Sequence, residues 1–237
     1  MVISSRNAAK FLTVLALATV LMSGCADGPF GELAAWNPWV RQQWQEDEEY
    51  AATFHTRIAE LKAVGANAAK LSPADRERFA QQVLDLASND PNPLIRAAAA
   101  QTLGKLSTPS ILPGLQMAAR DAEKQVRIAA CEAWGDVGGP QAMETLTDLV
   151  RNDEDLDVRI AATRQLGRFQ DPMVVSALGL ALNDRNPALQ FSAVESLKSS
   201  TGRDFGDSVP AWRDYVAGRT PEPARSPSVV ERLRDIF

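Results

Sequence analysis

Between Ser72 and Ser200 the chain repeats one pattern of apolar and polar positions four times. Segments starting at Ile95, Val126, Val158 and Leu189 read Ile-Arg-Ala-Ala-Ala, Val-Arg-Ile-Ala-Ala, Val-Arg-Ile-Ala-Ala and Leu-Gln-Phe-Ser-Ala, and their starts lie 31, 32 and 31 residues apart. Other columns keep the register. Asp90, Asp121, Asp153 and Asp184 stand six residues before Arg96, Arg127, Arg159 and Gln190. Leu103, Trp134, Leu166 and Leu197 close each unit, and Gly104, Gly135 and Gly167 follow the first three. A fixed period of this length marks a stacked array of supersecondary units.

Within each unit the spacing predicts a helix, a tight turn and a second helix. Ser72-Pro73, Thr108-Pro109, Gly139-Pro140 and Asp171-Pro172 place proline at the start of each first helix, where its missing N–H costs nothing. The expected pairs are 73–88 with 92–106, 109–120 with 123–137, 140–151 with 155–169, and 172–183 with 187–199. Leu86, Met117, Leu149 and Leu180 form an apolar column in the first helices. The alanine columns Ala98, Ala129, Ala161 and Ala99, Ala130, Ala162, Ala193 allow close approach in the second helices. One such hairpin cannot bury its apolar face; four stacked hairpins can. The expected fold is all-α, an α-solenoid of four hairpins over residues 72–200.

The flanks differ. Asn37-Pro38 reads as a helix start, and Val40, Trp44, Ala51, Phe54, Ile58 and Leu61 extend a helix to Ala63. Trp36, Trp39 and Trp44 either meet a membrane interface or pack onto the first repeat. The acidic run Glu46 to Glu49 beside them favours packing. After Ser200, residues 201–218 predict a cap: a turn-rich loop, then a short helix from Ser208, with Phe205, Trp212 and Tyr215 over the open end of the array. Residues 219–237 read as a linker and a short amphipathic tail with Val229, Val230, Leu233, Ile236 and Phe237 on one stripe.

Asp, then Val-Arg-x-Ala-Ala, then Leu-Gly at this spacing resembles HEAT repeats, in the short form found in many bacterial proteins and in bilin-lyase subunits. The resemblance implies a right-handed superhelix whose second helices line the inner face. It also implies that Asp90, Arg96, Asp121, Arg127, Asp153 and Arg159 are structural, with each Arg bridging to acidic groups of neighbouring repeats. Gln190 departs from that ladder, as suits a terminal unit.

Residues 1–24 carry a second resemblance. Arg6 and Lys10 precede the apolar run Phe11 to Met22, which has the length of an export-signal core and is short for a membrane span. Leu21-Met22-Ser23-Gly24-Cys25 then resembles a bacterial lipobox, with Met22 at a position usually held by Leu. The resemblance implies cleavage before Cys25, lipidation of its sulfur, and residues 25–71 as a tether and N-terminal helix. The protein would then sit in the cell envelope on the periplasmic or outer side. The alternative is an ordinary secretory signal.

Charge narrows the function. The formal net charge is −5, and loss of Arg6 and Lys10 makes it more negative still. Nucleic-acid binding needs clustered Lys and Arg, so it is not expected. His55 is the only histidine, which excludes centres built on several His ligands, HExxH sites and the paired His-Glu motifs of HEAT-like iron hydroxylases. No Walker loop or GxGxxG occurs, so neither a cofactor nor a metal is expected. Cys131 lies in an apolar helix column and reads as a buried structural thiol. The remaining candidate is a surface. Gln101, Glu132, Arg164, Glu195 and Lys105, Asp136, Arg168, Ser199 are polar in every repeat, and by the resemblance they face the inner curve. Both signs are present, which suits a protein partner. The leading expectation is a non-enzymatic, membrane-tethered interaction scaffold. An enzyme subunit or lyase-like chaperone, or a structural part of an envelope assembly, are the alternatives.

Overall fold

A computed structural model describes residues 53–221. The chain divides into two compact units, 1–56 and 57–237. Of the first unit only Thr53 to Thr56 are described. The expectations for residues 1–52 and 222–237 lie outside the described residues, including the signal, Cys25, the tryptophan cluster, the acidic run and the amphipathic tail.

Among the described residues every regular element is helical. The helices are α1 (Phe54–Asn67), α2 (Pro73–Asn89), α3 (Pro93–Leu106), α4 (Leu112–Ala118), α5 (Lys124–Val137), α6 (Gly139–Asn152), α7 (Leu156–Leu166), α8 (Pro172–Leu182), α9 (Pro187–Thr201) and α10 (Val209–Val216). The hairpins α2–α3, α4–α5, α6–α7 and α8–α9 are the four expected units. Neighbouring units stack through their second helices, α3 on α5, α5 on α7 and α7 on α9. This is an α-solenoid.

The sequence explains why the second helices form the tight layer. Ala99, Ala130, Ala162 and Ala193 are fully buried, so no side chain separates the helices there. Gly104 and Gly167 go further. A Cβ at Gly104 would stand 2.6 Å from the Ala133 Cα, and one at Gly167 would stand 2.8 Å from the Ser196 Cα. In the fourth unit the same column holds Lys198. Its ammonium reaches Glu195 at 2.8 Å and Asp207 at 2.7 Å, and the Asp207 and Glu195 carboxylates together raise its pKa. The last unit therefore offers a charged side chain where Gly104 and Gly167 offer a backbone seat.

The inter-unit aspartates each have two tasks. The Oδ1 atoms of Asp90, Asp121, Asp153 and Asp184 accept the backbone N–H two residues on, from Asn92, Glu123, Asp155 and Asn186. Each thus shapes the turn before a second helix. Their carboxylates also receive the arginine of the preceding second helix. Arg96 grips Asp121 with two bonds of 2.8 Å, and Arg127 grips Asp153 at 2.8 and 3.1 Å. Each Nη1 turns back to the carbonyl of its own unit's aspartate: Arg96 to Asp90, Arg127 to Asp121, Arg159 to Asp153. One guanidinium thus ties a turn to its own helix and to the next unit.

Several expectations are corrected. A continuous helix from Pro38 to Ala63 does not hold: Thr53 is not helical, and α1 starts at Phe54 and runs to Asn67. The Thr53 Oγ1 accepts the Thr56 N–H at 3.3 Å, the bond of a helix N-cap. The array also begins earlier than Ser72. Arg57 on α1 pairs with Asp90, and the Thr102 hydroxyl donates to the Leu61 carbonyl at 3.0 Å. α1 thus takes the place of a second helix against α3. The first helix of the second unit is not one helix over 109–120. It is a 3-10 turn at Pro109–Ile111 followed by the seven-residue α4. Pro113, without an N–H, sits at the start of α4. The first-helix apolar column is only partly core. Leu149 is buried, whereas Met117 is 54% and Leu180 38% exposed. Trp134 occupies the space beneath the short α4, fully buried, with its indole N–H on the Leu115 carbonyl.

A short helix follows the array. Ser208 caps α10 by accepting the Ala211 N–H. The Phe205, Trp212 and Tyr215 rings meet with centroids 4.9 to 5.8 Å apart. Arg213 donates from Nε and Nη2 to the Leu182 carbonyl and so closes the C-terminal end of α8.

Candidate functional site

The second helices α1, α3, α5 and α7 enclose a groove of about 460 Å³. Gln101, Lys105, Glu132, Asp136 and Arg168, all expected at an inner face, line it. They come from three different units, and the shared register brings them together: residues about 31 positions apart become neighbours across a stacked interface. Small residues, Gly65, Ala66, Ala98 and Ala133, form part of its lining and leave the space open.

The groove's charges are paired across units. Lys105 Nζ lies 2.7 Å from an Asp136 carboxylate oxygen, and Arg168 Nη1 lies 3.1 Å from the other. Gln101 Nε2 donates to Glu132 at 2.7 Å. Arg168 Nη1 also donates to Gln165 Oε1 at 2.8 Å. Paired charges leave little net field, so the groove offers a local pattern of donors and acceptors rather than a patch of one sign.

The three other expected residues, Arg164, Glu195 and Ser199, are not in this groove. They line a second depression of about 210 Å³ between α7 and α9, which shares Arg168 with the first and adds Phe191, Ser192 and Ser196. Here the pairing is incomplete. Arg164 is exposed and makes no ion pair or side-chain hydrogen bond among the described residues. Glu195 is taken by Lys198.

Sequence reasoning missed Lys62 and Gly65 of the first groove and Phe191 and Ser192 of the second. A signal was present for Gly65 and for Ser192. Gly65 follows Arg57 by eight residues, the interval that separates Gly104 from Arg96. It was obscured because Arg57 stands 39 residues before Arg96, outside the 31-residue period. Ser192 stands in the column of Ala98, Ala129 and Ala161, a polar break in a run of alanines.

A wider cleft of about 680 Å³ lies on the other layer, between α4 and α6, lined by Arg120, Glu144, Asp148 and Met173 among others. It follows from the shortness of α4 and has no buried unpaired polar group.

Catalytic geometry has little material here. The groove contains no His or Cys, and its two carboxylates are engaged. Cys131 is fully buried, and burial pushes its thiol up to about 12, so no thiolate is available. Among the described residues no three His, Cys, Asp or Glu side chains converge on a metal-sized site, and no helix is long and apolar enough to cross a membrane.

No curated protein matches the chain. The HEAT-repeat family matches it twice, over residues 80–165 and 143–227, and these overlapping stretches cover more than half of the sequence. With the paired helices, the aspartate turns and the arginine ladder, the match identifies the chain as a member of the HEAT-repeat family.

Proposed function

We propose that this protein is a non-enzymatic interaction scaffold, held on the extracytoplasmic side of a membrane by lipid on Cys25, which presents the inner face of its HEAT array to a protein partner. The observation that carries the binding role is the groove of Gln101, Lys105, Glu132, Asp136 and Arg168, a recessed face of matched charge built from successive units. HEAT arrays commonly serve protein interactions, and such a face suits a polar protein surface better than a small apolar ligand.

The tether rests on the Leu21 to Cys25 motif behind an apolar run. Two or three acyl chains anchor firmly, since each buried CH₂ contributes about 0.8 kcal/mol. Intact mass of the membrane-extracted protein, beside a Cys25→Ser variant, tests this part. A wild-type chain starting at Cys25 with added acyl mass, absent from the variant, is the expected result. An unacylated chain released on export removes the tether. Crosslinking in intact envelopes tests the binding part: specific adducts on the inner face are expected, and an inner face that yields none overturns it.

A further inference from the structure

We infer that the depression between α7 and α9 is the docking point for an acidic segment of the partner protein, one that carries an apolar side chain next to its carboxylates. This rests on the scaffold reading and names the chemistry of the partner.

Four observations converge there. First, Arg164 is an exposed cation with no described partner. Second, Arg168 spends only Nη1 on Asp136 and Gln165, so Nε and Nη2 remain for a ligand. Two guanidinium groups one helical turn apart suit carboxylates, which they bind through paired, charge-assisted hydrogen bonds. Third, Phe191 is 58% exposed at the rim and offers an apolar contact beside the guanidinium groups.

Fourth, Ser192 is only 4% exposed, and its hydroxyl has no hydrogen-bond partner. Two other buried hydroxyls of the second helices are satisfied. Thr102 donates to the Ala98 carbonyl and Thr163 to the Arg159 carbonyl, each four residues back. Ser192 makes no such bond, and the equivalent positions Ala98 and Ala129 pack without a hydroxyl. An unpaired buried polar group is costly, and packing alone is served by alanine. Ser192 lines the depression, and a small shift of its side chain would offer the hydroxyl to a peptide carbonyl or carboxylate bound there.

The contrast with the first groove supports the charge assignment. There, Lys105 and Arg168 converge on Asp136 and neutralise it. In the depression the one carboxylate, Glu195, is held by Lys198, and the uncompensated charge belongs to Arg164. The volume of about 210 Å³ admits one side chain, so the rest of the segment lies along the open face.

The test uses the full chain in detergent with two fluorescein-labelled peptides of equal length. One alternates glutamate with leucine; the other alternates lysine with leucine. Fluorescence anisotropy should show binding of the glutamate probe, with affinity that falls as salt rises, and no comparable binding of the lysine probe. Arg164→Glu should weaken the glutamate probe by at least about tenfold, and Phe191→Ser should weaken it several-fold. Ser192→Ala is the sharper variant. It should raise Tm by about 2–4 °C by removing the unpaired hydroxyl, yet weaken the probe. Equal binding of both peptides, no binding of the glutamate probe, or wild-type affinity in Arg164→Glu and Ser192→Ala would each overturn the inference. A dimer dispersed by Arg164→Glu would also overturn it, because the acidic run Glu46 to Glu49 of a second copy would then be the occupant. The two readings fail separately. An unacylated chain that binds the probe loses the tether and keeps this site; a lipidated chain whose partner crosslinks survive Arg164→Glu keeps the scaffold and loses this site.

Discussion

The rung between α5 and α7 and the rung between α7 and α9 are built from the same residues and behave differently. In the first, Arg127 and Asp153 meet through two hydrogen bonds, with their side chains 9% and 5% exposed. In the second, Arg159 approaches Asp184 only to 3.9 Å, the side chains are 19% and 30% exposed, and the buried Arg159 Nε has no partner. Gln190, one unit further, keeps the bond to its own turn, Nε2 to the Asp184 carbonyl at 2.6 Å, and has no onward aspartate. The ladder therefore loosens toward the C-terminal end. The motif supplies an arginine and an aspartate; the stacking geometry decides whether they close into a bidentate pair. The unpaired side chains Arg164 and Ser192 lie at the same loose interface.

The comparison is broken most directly by making one substitution at both rungs. Arg127→Gln can keep the bond to the Asp121 carbonyl, as Gln190 does in its own unit, while leaving the Asp153 carboxylate buried without its counter-charge. Breaking a buried pair from one side costs about 3–5 kcal/mol. For a domain of this size that is a fall in Tm of about 6–20 °C, read by calorimetry or circular dichroism. A loss below about 1 kcal/mol would show that the pair is no more than a surface contact.

The next largest effect tests the other device that holds the tight interfaces. Gly104→Ala places a methyl carbon against the Ala133 backbone at 2.6 Å, which no rotamer change relieves. Overpacking of this kind costs about 1–3 kcal/mol, measurable by urea unfolding with an unchanged m-value. Gly65→Ala, in the corresponding column of α1, meets its nearest atoms at 3.6 Å and should be tolerated. A large loss there would mean that α1 seats on α3 as closely as the later helices seat on one another.

Acid reports on the first tight rung. Burial pushes the Asp121 carboxyl up, but the Arg96 guanidinium and the Glu123 N–H outweigh it and hold its pKa below the ordinary 3.8. A depressed folded pKa contributes stability that is fully present above the unfolded value and is lost as pH falls through the folded one. Stability should therefore drop as pH is lowered below about 4, and an Arg96→Met variant should show a shallower drop over that window. Equal slopes in the two proteins would remove Asp121 from the account.

Much of this arrangement was legible in the sequence, because a repeat writes each structural need several times. The aspartates, the arginines and the alanine columns were found by register alone, and the helical pairs followed. What was lost lay where the register breaks or where depth matters. Arg57 and Gly65 carry the motif of a second helix, but the interval of 39 residues hid them. Met117 and Leu180 looked like core because Leu149 shares their column, but a shared register does not fix depth: Leu149 is buried and the other two are exposed. The expected residues that line the groove and the depression were read as polar columns. Their pairing was not, since whether Lys105 meets Asp136 and Arg164 meets nothing depends on how units stack, and the period alone does not encode that.

The smallest expected effect is the most informative about the loose rung. Arg159→Gln can retain a bond to the Asp153 carbonyl and gives up only the 3.9 Å approach to Asp184 and an unpaired Nε. Asp184 is 30% exposed, so water can solvate the freed carboxylate. The loss should stay under about 1 kcal/mol, as for exposed pairs, and added salt should shrink it. Hydrogen exchange extends the point: amides of α8 and α9 should exchange sooner than those of α5 and α7 in the wild type, and Arg159→Gln should leave that order unchanged, whereas Arg127→Gln should bring α5 and α7 down to it. If Arg159→Gln instead costs as much as Arg127→Gln, the two rungs are equivalent in solution, the C-terminal interface is as firm as the others, and the incomplete pairing at Arg164 and Ser192 must be explained without a looser unit beneath it.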